Sequence, residues 1–260
     1  MAENIKHDQN QIVFGRNPVL EVIENSSVQV NKIWIAENFN DQHLKKTIIS
    51  FAKEKKIPFM FVPDNKLKNL TSNQKHQGIV LSISPVEYKS VGEIIENTLQ
   101  KHDLKIVLIA NEIEDNHNLG AIIRTFAGAG GKGIILTGKS NVGINATTIK
   151  TSAGALFRTE FARVTNCVNV LNQLKESGFW IVGTDIGTES KSIYETDFPD
   201  MLAILVGNEH EGLGKHVKNN CDFLVKIPIN EMVESLNVSV AFGIILFEIL
   251  RQNKYFKAIS

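Results

Sequence analysis

Leu202-Ala203-Ile204-Leu205-Val206-Gly207-Asn208-Glu209 runs five apolar residues into a glycine and two polar ones. A short apolar run bounded by a turn signal reads as a buried strand, and glycine at its end lets the backbone approach a ligand closely. Glu209 then stands at the carboxyl end of that strand, where a ligand's hydroxyl or amine could meet it. A plain turn with solvated acids is the alternative.

Similar strands are expected at 105–110, 133–136, 180–184 and 223–227. Helices fall near 118–128, 168–177 and 215–219, with a last one from about 237 to 253. Apolar strands alternating with helices indicate an α/β fold whose parallel sheet is covered on both faces. Ligands in such sheets bind at the carboxyl ends of the strands. In this chain those ends carry Asn111-Glu112, Thr184-Asp185, Gly207-Asn208-Glu209 and Pro228.

The amino-terminal part alternates in the same way. Strands are expected at 12–15, 32–36, 59–62 and 78–84, with helices at 18–23, 41–55 and 65–70. Residues 85–93 are polar and proline-punctuated, which suits a connection. The organisation expected is a small α/β domain at 1–86, a linker at 87–103 and the larger domain at 104–260.

With 260 residues, 43% of them hydrophobic, the chain can bury a sizeable core. No stretch approaches the ~18 uninterrupted apolar residues that span a bilayer. Met1-Ala2-Glu3-Asn4-Ile5-Lys6-His7-Asp8 lacks the apolar core of a signal peptide. Cys167 and Cys221 are too few and too far apart for a disulfide framework or a Cys-x-x-Cys metal site. A soluble cytoplasmic protein without a structural metal is expected. Net charge is zero, but residues 1–90 hold 12 Lys/Arg against 9 Asp/Glu. Five of those lysines, Lys45, Lys46, Lys53, Lys55 and Lys56, fall on or beside one expected helix. A solvated face and a basic binding surface both fit them.

Two motifs match letter for letter but not in context. Gly128-Ala129-Gly130-Gly131-Lys132-Gly133 fits the dinucleotide fingerprint, which needs a strand before it and a helix after it; here the order is reversed. Gly133-Ile134-Ile135-Leu136-Thr137-Gly138-Lys139-Ser140 fits the phosphate-binding loop, yet its middle residues are themselves a strand. Nucleotide hydrolysis is set aside.

Two further segments accompany the opening one. In Asn116-His117-Asn118-Leu119-Gly120-Ala121-Ile122-Ile123-Arg124-Thr125, Asn118 suits a helix cap. Arg124, nearly two turns on, is expected on roughly the same side and suits bidentate binding of phosphate or carboxylate. The other segment runs from Ile227-Pro228 to Val233-Glu234-Ser235-Leu236-Asn237-Val238-Ser239-Val240. Ser235 and Asn237 are capping residues, so it reads as a helix start. Its nominal glycosylation acceptor, Asn237-Val238-Ser239, stays unmodified in a cytoplasmic protein.

Each segment alone is weak. Together, in this order at successive strand ends, they resemble the SpoU family of RNA ribose 2′-O-methyltransferases, within the trefoil-knotted SPOUT class. Asn118-Leu119-Gly120 with Arg124 is similar to the family's first motif, Gly207-x-Glu209 with Gly212 to its second, and Ile227-Pro228 with Ser235 to Ser239 to its third. Thr151-Ser152-Ala153-Gly154-Ala155 and Gly178-Phe179-Trp180-Ile181-Val182-Gly183-Thr184-Asp185 are also family-like. The amino-terminal part, through Lys75-His76-Gln77-Gly78, resembles the ribosomal-protein-like RNA-binding domain of members that modify large-subunit rRNA. Asn116, His210, Glu231 and Phe157 depart from the usual family residues.

The resemblance implies S-adenosylmethionine as cofactor and a ribose 2′-hydroxyl as acceptor, on a guanosine of 23S rRNA. Backbone groups at Gly207, Ile227 and Leu236, with Thr184 nearby, would hold the adenosine end. Asn118, Arg124, Glu209, Ser235 and Asn237 would form the catalytic constellation. Arg16, Lys75, His76 and Gln77 would contact RNA. Family members are homodimers joined through the last helix, here 240–251. The alternatives are the same chemistry on tRNA or another rRNA site, and a non-catalytic RNA-binding or ribosome-assembly factor.

Overall fold

The computed structural model describes residues 11–24, 28–230 and 232–255. Glu231 and the first eight residues, on which expectations were placed above, lie outside them. The chain opens with β1 (Gln11–Phe14), α1 (Arg16–Glu24), β2 (Val30–Ala36), α2 (Gln42–Glu54), β3 (Phe59–Val62), α3 (Asp64–Leu70) and β4 (Ile79–Ile83). It continues with β5 (Tyr88–Lys89), α4 (Val91–Gln100), β6 (Ile106–Asn111), α5 (Asn116–Gly128), β7 (Gly133–Thr137), α6 (Ala146–Thr151) and β8 (Glu160–Val164). The last elements are α7 (Cys167–Glu176), β9 (Trp180–Thr184), β10 (Lys191–Ser192), β11 (Leu202–Val206), α8 (Lys215–Lys218), β12 (Phe223–Lys226) and α9 (Val238–Gln252).

The chain divides into two compact units: residues 1–87 with 144–157, and 88–143 with 158–260. The first unit holds a four-stranded sheet in the order β1-β4-β2-β3. β4 runs antiparallel to both β1 and β2, and β3 runs parallel to β2 at the edge. Residues 144–157, expected with the larger domain, cluster with this unit because they pack against its first strand. The Gln11 amide donates to the Ile144 carbonyl at 2.9 Å, Lys150 donates to the Gln74 side chain at 3.2 Å, and its ammonium lies 5.2 Å over the Phe14 ring.

In the second unit the strands follow the order β10-β12-β9-β11-β6-β7-β8-β5, and every pairing is parallel. All six residues of β6 and all five of β11 are buried, as a parallel sheet covered on both faces requires. On one face Val107, Ile109, Ala203 and Leu205 pack with Val91, Ile94 and Ile95 of α4 and Val170, Leu171 and Leu174 of α7. α5 and α9 pack against each other, bringing the Phe126 and Phe242 rings to 6.2 Å, and α9 also lies against β11.

Five elements were not anticipated, the two-residue strands β5 and β10 among them. α4 falls where a linker was expected; Ser90 and Glu93 close a reciprocal capping box, and Val91, Ile94 and Ile95 bury its inner face. β8 is short and carries Glu160 and Arg163, and α6 has six residues. The two literal motif matches resolve as the context indicated. α5 stops at Gly128 and β7 starts at Gly133, so the glycines end a helix. The middle of the phosphate-loop match is the buried strand β7, and no helix begins until Ala146.

Candidate active site

The site grows from the carboxyl end of β11. Beyond Val206 the chain turns back at once: Asn208 and Gly212 exchange two backbone hydrogen bonds, of 3.1 and 3.0 Å. A Cβ on Gly207 would sit 2.6 Å from the Gly212 carbonyl, so no other residue fits there without moving backbone. Gly212 itself adopts φ +65°, a left-handed conformation that glycine takes without strain.

Asn208 ties this turn to its neighbours. Its amide donates to the Glu112 carbonyl at 3.0 Å and to the Glu114 carboxylate at 3.1 Å. Its oxygen accepts from the backbone N–H groups of His210 at 2.8 Å and Glu211 at 3.2 Å. Glu209, held between them, is therefore referenced to the loop that leads into α5. Nothing in the sequence distinguished Asn208 from an ordinary turn residue.

α5 is capped by Asp115, whose carboxylate accepts from the His117 N–H at 2.8 Å, and not by Asn118 as expected. An aspartate one residue before the helix fills the capping position first, which frees the Asn118 amide for tertiary bonds. Its Nδ2 donates to Glu209 Oε1 at 3.0 Å, and its Oδ1 accepts from Asn237 Nδ2 at 2.9 Å. Asn237 in turn caps α9, its Oδ1 accepting from the N–H groups of Ser239 at 3.0 Å and Val240 at 3.4 Å. The capping residue and the site residue are one side chain, and a directional line of bonds runs Asn237 to Asn118 to Glu209. Arg124 departs from its expectation. Six residues at about 100° each carry it about 120° around the helix from Asn118. It is exposed and makes no ion pair or hydrogen bond among the described residues.

A cavity of ≈ 320 Å³ opens at these strand ends, within the size range of small-molecule sites. Thr184, Gly207, Glu209, Ile227, Ser235 and Leu236, all singled out from the sequence, line it. Val225, Ala241 and Ile245 give it an apolar side. Asp185 and Lys218 also line it and pair at 2.7 Å, with the Ser190 hydroxyl donating to Asp185 at 3.2 Å. Burial pushes the Asp185 carboxyl up, but the bond and charge of Lys218, with the Ser190 bond, outweigh it and leave the group below its ordinary value. Asp185 stood in the quoted strand end, whereas Lys218, on a four-residue helix, carried no signal.

Glycine at 207, the chain at Ile227 and Leu236 and an apolar side suit a ligand with a flat ring and a charged tail. Glu209, Glu211 and Glu234 add negative charge for a cationic group. No group of three or more His, Cys, Asp or Glu among the described residues could hold a metal ion. Burial pushes the Cys221 thiol up to about 12 and raises that of Cys167, so neither is a thiolate nucleophile near neutral pH.

The residues expected to meet RNA lie in the first unit. Arg16 pairs with Asp41 at 3.3 Å, and its backbone N–H donates to the Gln77 side chain at 2.8 Å. His76 is buried; its Nδ1 accepts from the Gly78 N–H at 3.1 Å and its Nε2 faces Asp64 at 3.6 Å. Lys75 is exposed. His76 and Gln77 thus serve the turn itself, and Arg16 and Lys75 keep side-chain surface in solvent. Among the described residues no helix is long and apolar enough to cross a membrane.

Residues 105–247 match the model of the SpoU rRNA Methylase family, and residues 12–89 match one described as RNA 2′-O ribose methyltransferase substrate binding. The chain is 36% identical over 249 residues to YacO of Bacillus subtilis (strain 168), named for the TrmH family of tRNA/rRNA methyltransferases. That match covers 94% of this chain and 96% of the relative. A protein of Staphylococcus haemolyticus named for the same family is 37% identical over 246 residues, covering 93% and 95%. Among solved structures, an AdoMet-bound rRNA methyltransferase from Sinorhizobium meliloti superposes with TM-score 0.79 at 22% identity, covering 94% of this chain and 87% of that one. The SpoU methyltransferase AviRb from Streptomyces viridochromogenes, in complex with AdoMet, gives the same TM-score and identity, covering 94% and 90%. The fold is therefore that of the SPOUT class, preceded by the small α/β domain the motifs implied.

Proposed function

The chain belongs to the SpoU rRNA methylase family, and on that premise we propose that it methylates a ribose 2′-hydroxyl of RNA, on a guanosine of 23S rRNA. Membership makes it an S-adenosylmethionine-dependent RNA methyltransferase; the acceptor nucleotide is the finer part of the proposal. The observation that supports the methyl-transfer site is the bonded line Asn237–Asn118–Glu209 ending at a cavity edged by Thr184, Gly207, Ile227, Ser235 and Leu236.

S-adenosylmethionine, when bound, supplies a methyl group already made electrophilic by its sulfonium. Backbone groups at Gly207, Ile227 and Leu236, beside Thr184, would hold the adenosine end. Asn118 fixes Glu209 by one carboxylate oxygen, leaving the other to receive a cationic or hydroxyl group. Ser235 stands on the cavity wall within the same constellation. Arg124, exposed on α5 and turned about 120° from Asn118, binds the RNA phosphate; a guanidinium stays protonated and does not serve as the base. Aligning the hydroxyl with the methyl carbon supplies much of the acceleration.

RNA approaches the first unit through Arg16 and Lys75, with Gln77 and His76 shaping the turn between. The protein acts in the cytoplasm as a homodimer joined through α9, whose Val240 and Phe247 are about half exposed although the helix is strongly apolar. A monomeric mass by sedimentation would sink that assembly. The reaction is tested by incubating the protein with labelled S-adenosylmethionine and unmodified total RNA. Label entering rRNA supports the proposal, label entering tRNA alone redirects the substrate, and label entering no RNA leaves a binding factor.

A further inference from the structure

We propose that the edge of the first unit's sheet, at Phe61, is a stacking site for an unpaired RNA base, with Lys45 as its phosphate partner. The inference rests on the reading of the chain as an RNA methyltransferase. β3 is the last strand of its sheet, paired only to β2 among the described residues, yet Phe61 and Met60 on it are 42% and 41% exposed. Isolated apolar side chains on a surface need no explanation; Met60, the neighbouring residue, points to the opposite face, but Phe61 is held in an organised setting. Phe59 meets Phe61 edge to face with centroids 6.3 Å apart, which holds the ring upright. The Lys45 ammonium lies 4.6 Å from the Phe61 centroid, and across the sheet Lys32 lies 5.4 Å from that of Trp34, the register partner of Met60.

An ammonium over an aromatic ring is a place where a base and its phosphate substitute together. The base takes the ring face and the lysine moves to the phosphate, so the cation is exchanged rather than stripped. The surroundings are basic: Lys46, Lys53, Lys55 and Lys56 are exposed on or just beyond α2. Three acids near in sequence are already paired: Asp41 with Arg16 at 3.3 Å while it caps α2, Asp64 with Lys68 at 2.9 Å, and Glu54 with Lys55 at 3.8 Å. Of the residues expected from sequence to carry RNA, Arg16, Lys75 and Gln77 are exposed but none presents an aromatic face, and His76 is buried. The match of residues 12–89 to a substrate-binding model places an RNA role on this unit without assigning the face.

The full chain is tested by fluorescence anisotropy with a labelled single-stranded oligouridylate and with an RNA duplex. Phe61→Ala weakens single-strand binding about 5- to 20-fold and leaves the duplex nearly unaffected, while Phe61→Tyr, which keeps the π-face, binds as wild type. Lys45→Gln lowers the slope of log affinity against log salt by about one. Melting temperatures accompany both Phe61 variants, so that a fold defect is recognised by a loss the duplex shares. Single-strand affinity within twofold of wild type for Phe61→Ala overturns the inference and leaves the patch to a protein partner. An equal loss in Phe61→Tyr at unchanged melting temperature overturns it too. Failure of the wild-type chain to methylate any RNA overturns the underlying reading instead.

Discussion

Asn118→Asp exchanges one amide nitrogen for oxygen and inverts the sign of the contact that holds Glu209. Asn118 Nδ2 lies 3.0 Å from Glu209 Oε1, so the variant sets two carboxylate oxygens at that separation. Their repulsion is about 5.5 kcal/mol at an effective dielectric of about 20 and about 1.4 kcal/mol in water. Both side chains are partly buried, so the outcome falls between these limits. That range corresponds to an upward shift of about 1 to 4 pH units in the upper pKa of the pair. At the upper end of that range the pair shares one proton near neutral pH; at the lower end both stay ionised and the Glu209 turn moves aside. Asn237 keeps its bond, because the oxygen in the Oδ1 position is retained and still accepts. Methyl transfer is expected to fall about 10- to 1,000-fold at neutral pH and to recover in mild acid, where the shared proton restores a hydrogen bond. Steady-state rates at saturating cofactor across the pH range, with melting curves for both proteins, decide the matter. Wild-type turnover with a wild-type pH profile would refute the bonded line as the support of Glu209.

The other expectations concern the cavity and its rim. Gly207→Ala drives a methyl into the Gly212 carbonyl at 2.6 Å, which costs about 1–3 kcal/mol as overpacking. Cofactor affinity by calorimetry should drop at least tenfold, and an unchanged Kd would contradict the close approach at this glycine. Asp185→Asn leaves Lys218 without its partner and should cost about 1–3 kcal/mol at neutral pH, between surface and buried pairs. Because the folded carboxyl lies below its unfolded value, that stability is present above the ordinary aspartate range and is lost as pH falls through the folded pKa. Urea midpoints of variant and wild type should converge in acid, and a gap independent of pH would assign the loss to packing. Arg124→Lys keeps the charge but loses the planar fork, so KM for RNA should rise while cofactor Kd holds; full turnover at low RNA would remove the need for a bidentate contact.

Much of this was legible because the informative residues are local. The runs 202–206 and 106–110 are apolar throughout, and only a sheet buried on both faces accommodates that. Ser235, Leu236 and Asn237 announced a helix start, and Asn237 caps α9. What stayed hidden depends on distant partners. Ser90-Val91-Gly92-Glu93 carries a capping-box signature, but Pro85 and Gly92 made the stretch read as a linker, and only contact with β7, β8 and α7 turns it into core. β8 escaped notice because Glu160 breaks its pattern; that carboxylate is spent on Lys89 at 2.8 Å and Asn97 at 2.8 Å. In the site, Asp115 displaced Asn118 as the cap, and His76 was drawn inward by the Gly78 N–H. Neither follows from residue type, since asparagine and aspartate cap equally well and histidine suits either environment.

The position of the transferred methyl puts the proposed reaction to its sharpest test. Purified protein, S-adenosylmethionine and unmodified 23S rRNA are incubated, the RNA is digested with nuclease, and the fragments are read by mass spectrometry. A single added methyl on the ribose of a guanosine is expected, and it blocks alkaline cleavage at that nucleotide. A methyl on a base, or RNA of unchanged mass beside an active control enzyme, would contradict the proposal.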